Sequence, residues 1–250
     1  MLCELGKIIS KNPKCFSLKP LPCWTSYPHP KYSSLTGLFG RINELSESGS
    51  TNIPKLVLIE NGIHDEGGNI VKINISISIV GESREHCIVI GGLEMEGKKE
   101  DDVNVRDLTL RNSTYHGICG WKGASIHLNN VDVENSKKGG VVINATKRNS
   151  MTNCRISTSK ESGLSVGGNG LMKVYGTVTT IHHNCTGGDE WAYGLETDSS
   201  SSNTIFLVSP LSKESISVAN FQIQKAPKVL KKKNYKEDNN SIKIFTEAVE

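Results

Sequence analysis

From residue 106 onward, apolar and polar positions alternate in short runs, each broken by a small or polar turn, and the pattern returns every 23 residues. Aligned at that offset, the apolar columns are Leu108, Val131 and Cys154; Leu110, Val133 and Ile156, with Thr179 as a weaker continuation; Ile118, Val141 and Leu164; and Leu128, Met151 and Val174. Gly117, Gly140 and Gly163 form a further column, as do Ser113, Ser136 and Ser159. Each copy holds two or three runs of strand periodicity with no helical stretch between them, which excludes leucine-rich and ankyrin-type repeats. Stacking like positions about 4.8 Å apart gives each backbone group a partner in the next turn and buries identical columns on one another. The pattern therefore predicts an all-β solenoid of about 23 residues per coil.

The ends differ from this rhythm. Leu35, Leu38, Phe39, Ile42 and Leu45 have helical spacing and predict a short amphipathic helix over 35–45, placed to cap the open end of the core. Lys55 to His64 and Ile73 to Gly81 read as the first rungs, and residues 93–102 as a charged excursion, because Ile79 and Leu110 are 31 residues apart. The last strand expected is Thr204 to Val208, stopped at Pro210. This divides the chain into a poorly ordered N-terminal extension (1–34), the solenoid domain (35–210) and a divergent Lys/Asn-rich tail (211–250).

The order amphipathic helix, L-V-L-I-E-N-G-I-H, S-I-V-G-E and I-V-I-G-G resembles right-handed parallel β-helix proteins of the pectin-lyase-like superfamily. The block from Thr179 to Gly187, with Tyr193-Gly194-Leu195 and Ser199 to Ser202, resembles an end-module of uncharacterised β-helix proteins from protists and large viruses. The resemblance implies a right-handed parallel β-helix, and it supplies the handedness.

Composition agrees with many short strands: 24 Gly, 28 Ser and 21 Asn stand against 6% aromatic residues. The balance of 29 Lys and Arg with 26 Asp and Glu is too even to imply a nucleic-acid or membrane partner. Lys225, Lys228, Lys231, Lys232, Lys233, Lys236 and Lys243 concentrate positive charge near the C-terminus, as a solvated tail or as a tether to phosphate. Seven cysteines at irregular spacing give no disulfide framework, and no targeting segment or long apolar run is visible. The expectation is an intracellular, soluble protein.

Candidate chemistry lies on the outward strand positions. Asp132, Glu134, Arg155 and Arg111 stack as two short columns, with His127 and Lys173 on neighbouring strand positions. One reading makes the first four a catalytic set, with His127, Lys173 and Trp121 binding substrate: an acid or calcium pair with an arginine base or uronate clamp, in which Asp132→Ala or Arg155→Ala abolishes turnover and hardly moves stability. The other is a surface ladder of ion pairs, Asp132 facing Arg155 and Glu134 facing Arg111. Family signatures for lyases and glycosidases are incomplete, Tyr115-His116-Gly117 and Arg155-Ile156-Ser157 being fragments. Trp121 and Trp191 are candidate sugar platforms. His182, His183, Cys185, Asp189, Glu190, Tyr193, Glu196 and Asp198 form a second cluster without zinc spacing, so no metal is expected, and Ca2+ enters only with lyase activity. Asn112 and Asn135 read as stacked inward asparagines bonding the turn backbone. The preferred function is a non-catalytic scaffold binding a glycan or protein on its sheet face. The alternatives are a polysaccharide lyase or glycoside hydrolase acting on acidic polysaccharide, and a structural or interaction module.

Overall fold

The computed structural model describes residues 24–187, 192–197, 204–218 and the backbone of 242–245. Parallel pairing sorts the strands into three stacks that the chain visits in turn. Sheet 1 comprises β1 (Trp24–Tyr27), β2 (Leu56–Ile59), β4 (Ile77–Gly81), the first halves of β6 (Asp102–Arg111) and β8 (Ser125–Glu134), β10 (Asn149–Thr152), β13 (Leu171–Tyr175), β16 (Thr204–Val208) and β18 (Ile242–Phe245). Sheet 2 takes the starts of β3 (Gly62–Ile73) and β5 (Cys87–Glu96), the second halves of β6 and β8, β11 (Arg155–Ser157), β14 (Thr180–His182) and β17 (Ser217–Val218). Sheet 3 takes the ends of β3 and β5, then β7 (Ile118–Trp121), β9 (Val141–Asn144), β12 (Leu164–Gly167) and β15 (Leu195–Thr197). The coils repeat about 23 residues apart, as the alternation predicts.

The aligned apolar columns are the core: Leu108, Val131, Ile118, Val141, Leu164, Met151 and Val174 are all fully buried, and Cys154 lies among them. Gly117, Gly140 and Gly163 repeat for lack of space. A Cβ at these positions would lie 2.2 Å from Val133 Cγ1, 2.3 Å from Ile156 Cγ2 and 2.3 Å from Ile181 Cγ2 respectively.

Each corner between sheets carries a non-glycine residue in left-handed conformation, again in register. Asp107, Asn130 and Asn153 turn sheet 1 into sheet 2; Asn112, Asn135 and Thr158 turn sheet 2 into sheet 3; Lys122 and Ala145 turn sheet 3 back to sheet 1. Asn and Asp tolerate that region because their short polar groups bond locally. Here Asn130 Nδ2 donates to Asp107 Oδ1 and Asn135 Nδ2 to Asn112 Oδ1, both at 2.7 Å. Asn112 and Asn135 are thus exposed and bond each other, not inward to the backbone. The inward role belongs to Asn149, which accepts from Ile126 N and donates to Leu171 O, and to Asn184, which accepts from Ser159 N and donates to Ile156 O.

Three details differ from expectation. Ile79 pairs with Val105 on sheet 1 and Leu110 with Val89 on sheet 2, so the interval between Ile79 and Leu110 crosses faces and is not a coil length. Residues 93–96 belong to β5, and the excursion is the turn 97–101, held by Lys98 N donating to Asp101 Oδ2 at 2.8 Å. Ile181, not Thr179, continues the column above Ile156.

The capping helix is α1 (Leu35–Glu47), started by Ser34, whose hydroxyl accepts from Gly37 N at 3.0 Å. Its apolar face buries Leu35, Leu38, Phe39 and Ile42. Its polar contacts reach the first coil: Asn43 donates to Lys72 O at 3.0 Å and accepts from Asn74 N at 3.1 Å, satisfying part of an open strand edge. Buried Glu66 accepts from Leu35 N (2.7 Å), Thr36 N (3.0 Å) and Thr36 Oγ1 (2.7 Å) at the positive end of the helix. Glu66→Ala is therefore expected to cost about 2 kcal/mol, measured as a lower guanidinium midpoint. An unchanged midpoint would show that the helix docks by apolar contact alone.

Regular structure begins before the expected boundary at residue 35, since β1 at Trp24–Tyr27 pairs with β2. It also continues past Pro210 into α2 (Lys213–Ile216), β17 and β18. Residues 1–23, and most of the lysine-rich tail, lie outside the described residues. Among the described residues no helix is long and apolar enough to cross a membrane.

Candidate functional site

The outward columns of sheet 2 carry the catalytic candidates in the expected register. Asp132 lies between Thr109 and Arg155, and Glu134 between Arg111 and Ser157. Arg155 Nε is 3.0 Å from both Asp132 oxygens and its Nη2 closes the fork, while Arg111 Nε meets Glu134 Oε2 at 2.8 Å. The ladder is not confined to the surface. Asp132 is only 2% exposed because the 82–86 loop folds across it: Thr109 Oγ1 donates to Arg84 O at 2.7 Å, and Arg84 Nε approaches Asp132 Oδ1 at 3.6 Å. The hydrogen bond from Arg155 to Asp132 holds that guanidinium above its ordinary range. Asp132 is thus buried between two guanidinium groups, with little surface left for a substrate to reach.

The other named residues sit elsewhere. Left-handed Asn130 separates His127 on sheet 1 from Asp132 on sheet 2, and Asn153 does the same one coil on, so His127 and Lys173 flank a different face. Trp121 ends β7 on sheet 3. Asp132, Glu134, Arg155 and Arg111 therefore form one cluster that Trp121, His127 and Lys173 do not join.

Trp121 forms its own site. Its register partner is Glu96, and it lines a recess of about 400 Å³ with Glu94, Glu96, Lys122, Asn144 and Ala145. The indole is half-buried, and the Cys119 thiol, two residues before it on β7, is fully buried. Burial, followed by the Glu94 charge, pushes that thiol up to about 12. Lys122 pairs with Glu96, and Lys72 Nζ lies 3.6 Å from Glu94 Oε1. The result is an aromatic plate with carboxylate acceptors on one side and an amide on the other. Sequence reading missed both carboxylates because they lie in the segment taken for an excursion; their alternation with buried Leu93 and Met95 was the available signal.

The second cluster is only partly described, since Asp189, Glu190, Trp191 and Asp198 lie outside the described residues. His183 is left-handed, and this turn brings His182 Nδ1 within 2.7 Å of His183 Nδ1. Burial, then the neighbouring His183 and Arg155, hold His182 below its ordinary range, opposed by Asp132 and Glu134. Cys185 is buried. Among the described residues no group of three or more potential ligands is close enough to hold a metal.

Comparison with known proteins agrees with the architecture. The family model described as right handed beta helix region matches residues 91–207, and no curated protein matches the chain. Among solved structures, the Agl-KA catalytic domain is similar at 12% identity and a TM-score of 0.32. That alignment covers 70% of this chain and 44% of that one, so the chain spans less than half of that domain, and a likeness at this level has no bearing on chemistry. With its coils wound through three parallel stacks and a right handed beta helix region matched over residues 91–207, the chain has the fold of a right-handed parallel β-helix.

Proposed function

We propose that the protein is a recognition scaffold that binds a neutral oligosaccharide at the Trp121 recess. The observation that supports this reading is the combination of a half-buried indole and three hydrogen-bonding side chains, Glu94, Glu96 and Asn144, around one shallow space. Sugar rings stack their C–H faces on aromatic plates, and carboxylates and amides take their hydroxyls. Glu96 and Glu94 are balanced by Lys122 and Lys72, so the recess offers no net charge to hold a polyuronate, and the ligand class is neutral. Turnover of an acidic polysaccharide by Asp132 and Arg155 is not favoured, because their charges are spent on each other and on Arg84. A glycan array, followed by titration of hits, tests the reading. Trp121→Ala is expected to weaken binding at least tenfold at unchanged thermal stability. Equal binding by that variant, or no hit on the array, would sink it.

A further inference from the structure

The outer face of sheet 1 holds three side chains in a sequence that the recognition reading does not use. Asp102, His127 and Ser150 come from successive strands β6, β8 and β10, and His127 and Ser150 are register partners. His127 Nδ1 is 2.9 Å from Ser150 Oγ, and its Nε2 is 3.4 Å from Asp102 Oδ1. With the neutral tautomer protonated at Nε2, the ring accepts from the Ser150 hydroxyl and donates to Asp102. Arg148 Nη2, 3.0 Å from the same Asp102 oxygen, fixes the carboxylate. His127 and Ser150 line a trough of about 400 Å³ with Asn104, Asn129 and Thr152, so the hydroxyl has room beside it for a substrate.

We propose that Ser150 is the nucleophile of an acyl-ester hydrolase site, with His127 as general base and Asp102 as its positioning residue. A hydroxyl, a base within hydrogen-bonding reach and a third group orienting that base are the arrangement that activates serine, and hydrogen bonds of this length commonly tighten when substrate binds. Ser150 Oγ bonds to the ester carbonyl carbon as its proton passes to His127 Nδ1; the C–O bond breaks and the alcohol leaves with that proton. Water then gives a proton to His127, attacks the acyl-serine and releases the carboxylic acid, restoring Ser150. Backbone N–H groups within the sheet are taken by the ladder, so the oxyanion must be met by side chains. Asn129 lines the trough, and Lys173, exposed on β13, is the register partner of Ser150 on its other side. The charged groups facing His127 are Asp102 and Arg106 from β6, Arg148 ahead of β10, and Lys173 from β13.

The test uses the full chain with a fluorophosphonate probe, mapped by mass spectrometry, and p-nitrophenyl acetate turnover. Wild type is expected to carry the label on Ser150. Ser150→Ala should lose the label and lower kcat/KM at least 100-fold, and His127→Gln should do the same while keeping the wild-type melting temperature. Asp102→Asn should cost about tenfold and move the acid limb of the pH–rate profile to lower pH, which a merely structural role would not do. Labelling elsewhere, turnover surviving in Ser150→Ala, or labelling indifferent to His127→Gln would overturn the assignment. None of these readouts depends on Trp121, so failure of the saccharide reading leaves them intact.

Discussion

Asp132→Ala is expected to be the most destabilising of the substitutions considered, at about 3–5 kcal/mol, with a correspondingly lower guanidinium midpoint. The carboxylate is buried and is the common partner of Arg155 and Arg84. Its removal leaves two cations facing each other. Arg84 is the more costly to strand, because its side chain is 16% exposed while that of Arg155 is 47% exposed. Arg84 Nη1 also donates to Asn153 O at 3.2 Å, which ties the loop after β4 to a corner three coils away. Arg155→Ala should cost less, about 1–2 kcal/mol, since Arg84 still faces the carboxylate. A double-mutant cycle between Asp132 and Arg155 measures their coupling directly. Were Asp132→Ala to unfold with the wild-type midpoint, the buried triad would have no structural role. That outcome is what the catalytic reading of these residues requires, and the burial of Asp132 argues against it.

Acidification is expected to destabilise the protein through His116. This ring is 8% exposed at the corner between sheets 2 and 3, where its Nδ1 accepts from Gly139 N at 3.0 Å. Burial, then the positive charge of Lys138, depresses its pKa from 6.5 to about 4, and the Gly139 N–H, which only the neutral ring can accept, favours the same form. Between those values the unfolded chain binds a proton that the folded chain does not. Stability from this group is therefore complete above about pH 6.5 and lost as the pH falls toward 4, by about 3 kcal/mol. Protonated Nδ1 cannot accept from Gly139, so the corner loses a bond as it gains an unpaired charge. His116→Gln should be less stable than wild type at pH 7, with the gap narrowing by about 2–3 kcal/mol near pH 4.5 as the wild type loses its advantage. An equal gap at both pH values would remove His116 as the cause.

The solenoid was legible because its signal is written three times over: the columns at Leu108, Leu110, Ile118 and Leu128 repeat inward-facing positions that every coil must fill with apolar side chains. Coils without close copies were read less well. The turn 97–101 and the two-residue shift that puts Ile181 in place of Thr179 change the coil length without changing the alternation inside each strand. The asparagine columns show a different limit. Their periodicity was visible, but whether such a residue sits inward or in an exposed left-handed corner depends on backbone dihedral angles that residue type only biases. The glycine column is visible as a repeat, but its cause, the nearby aliphatic side chain of the next coil, is not.

Sequence alone determined the strand period, the coil length, the core columns, the capping helix and the pairing of Asp132 with Arg155 and Glu134 with Arg111, since all follow from alternation and a constant offset. Only the tertiary structure decided which outward residues share a face. One left-handed residue between His127 and Asp132 sends five residues of chain around a corner and separates groups that are neighbours in sequence. The same winding joins Asp102, His127 and Ser150, about 23 residues apart, on one face, and lays Arg84 over Asp132 from another coil. Local periodicity specifies in or out for each residue, but the position of the corners assigns each outward residue to one of three faces, and that position sets the chemistry.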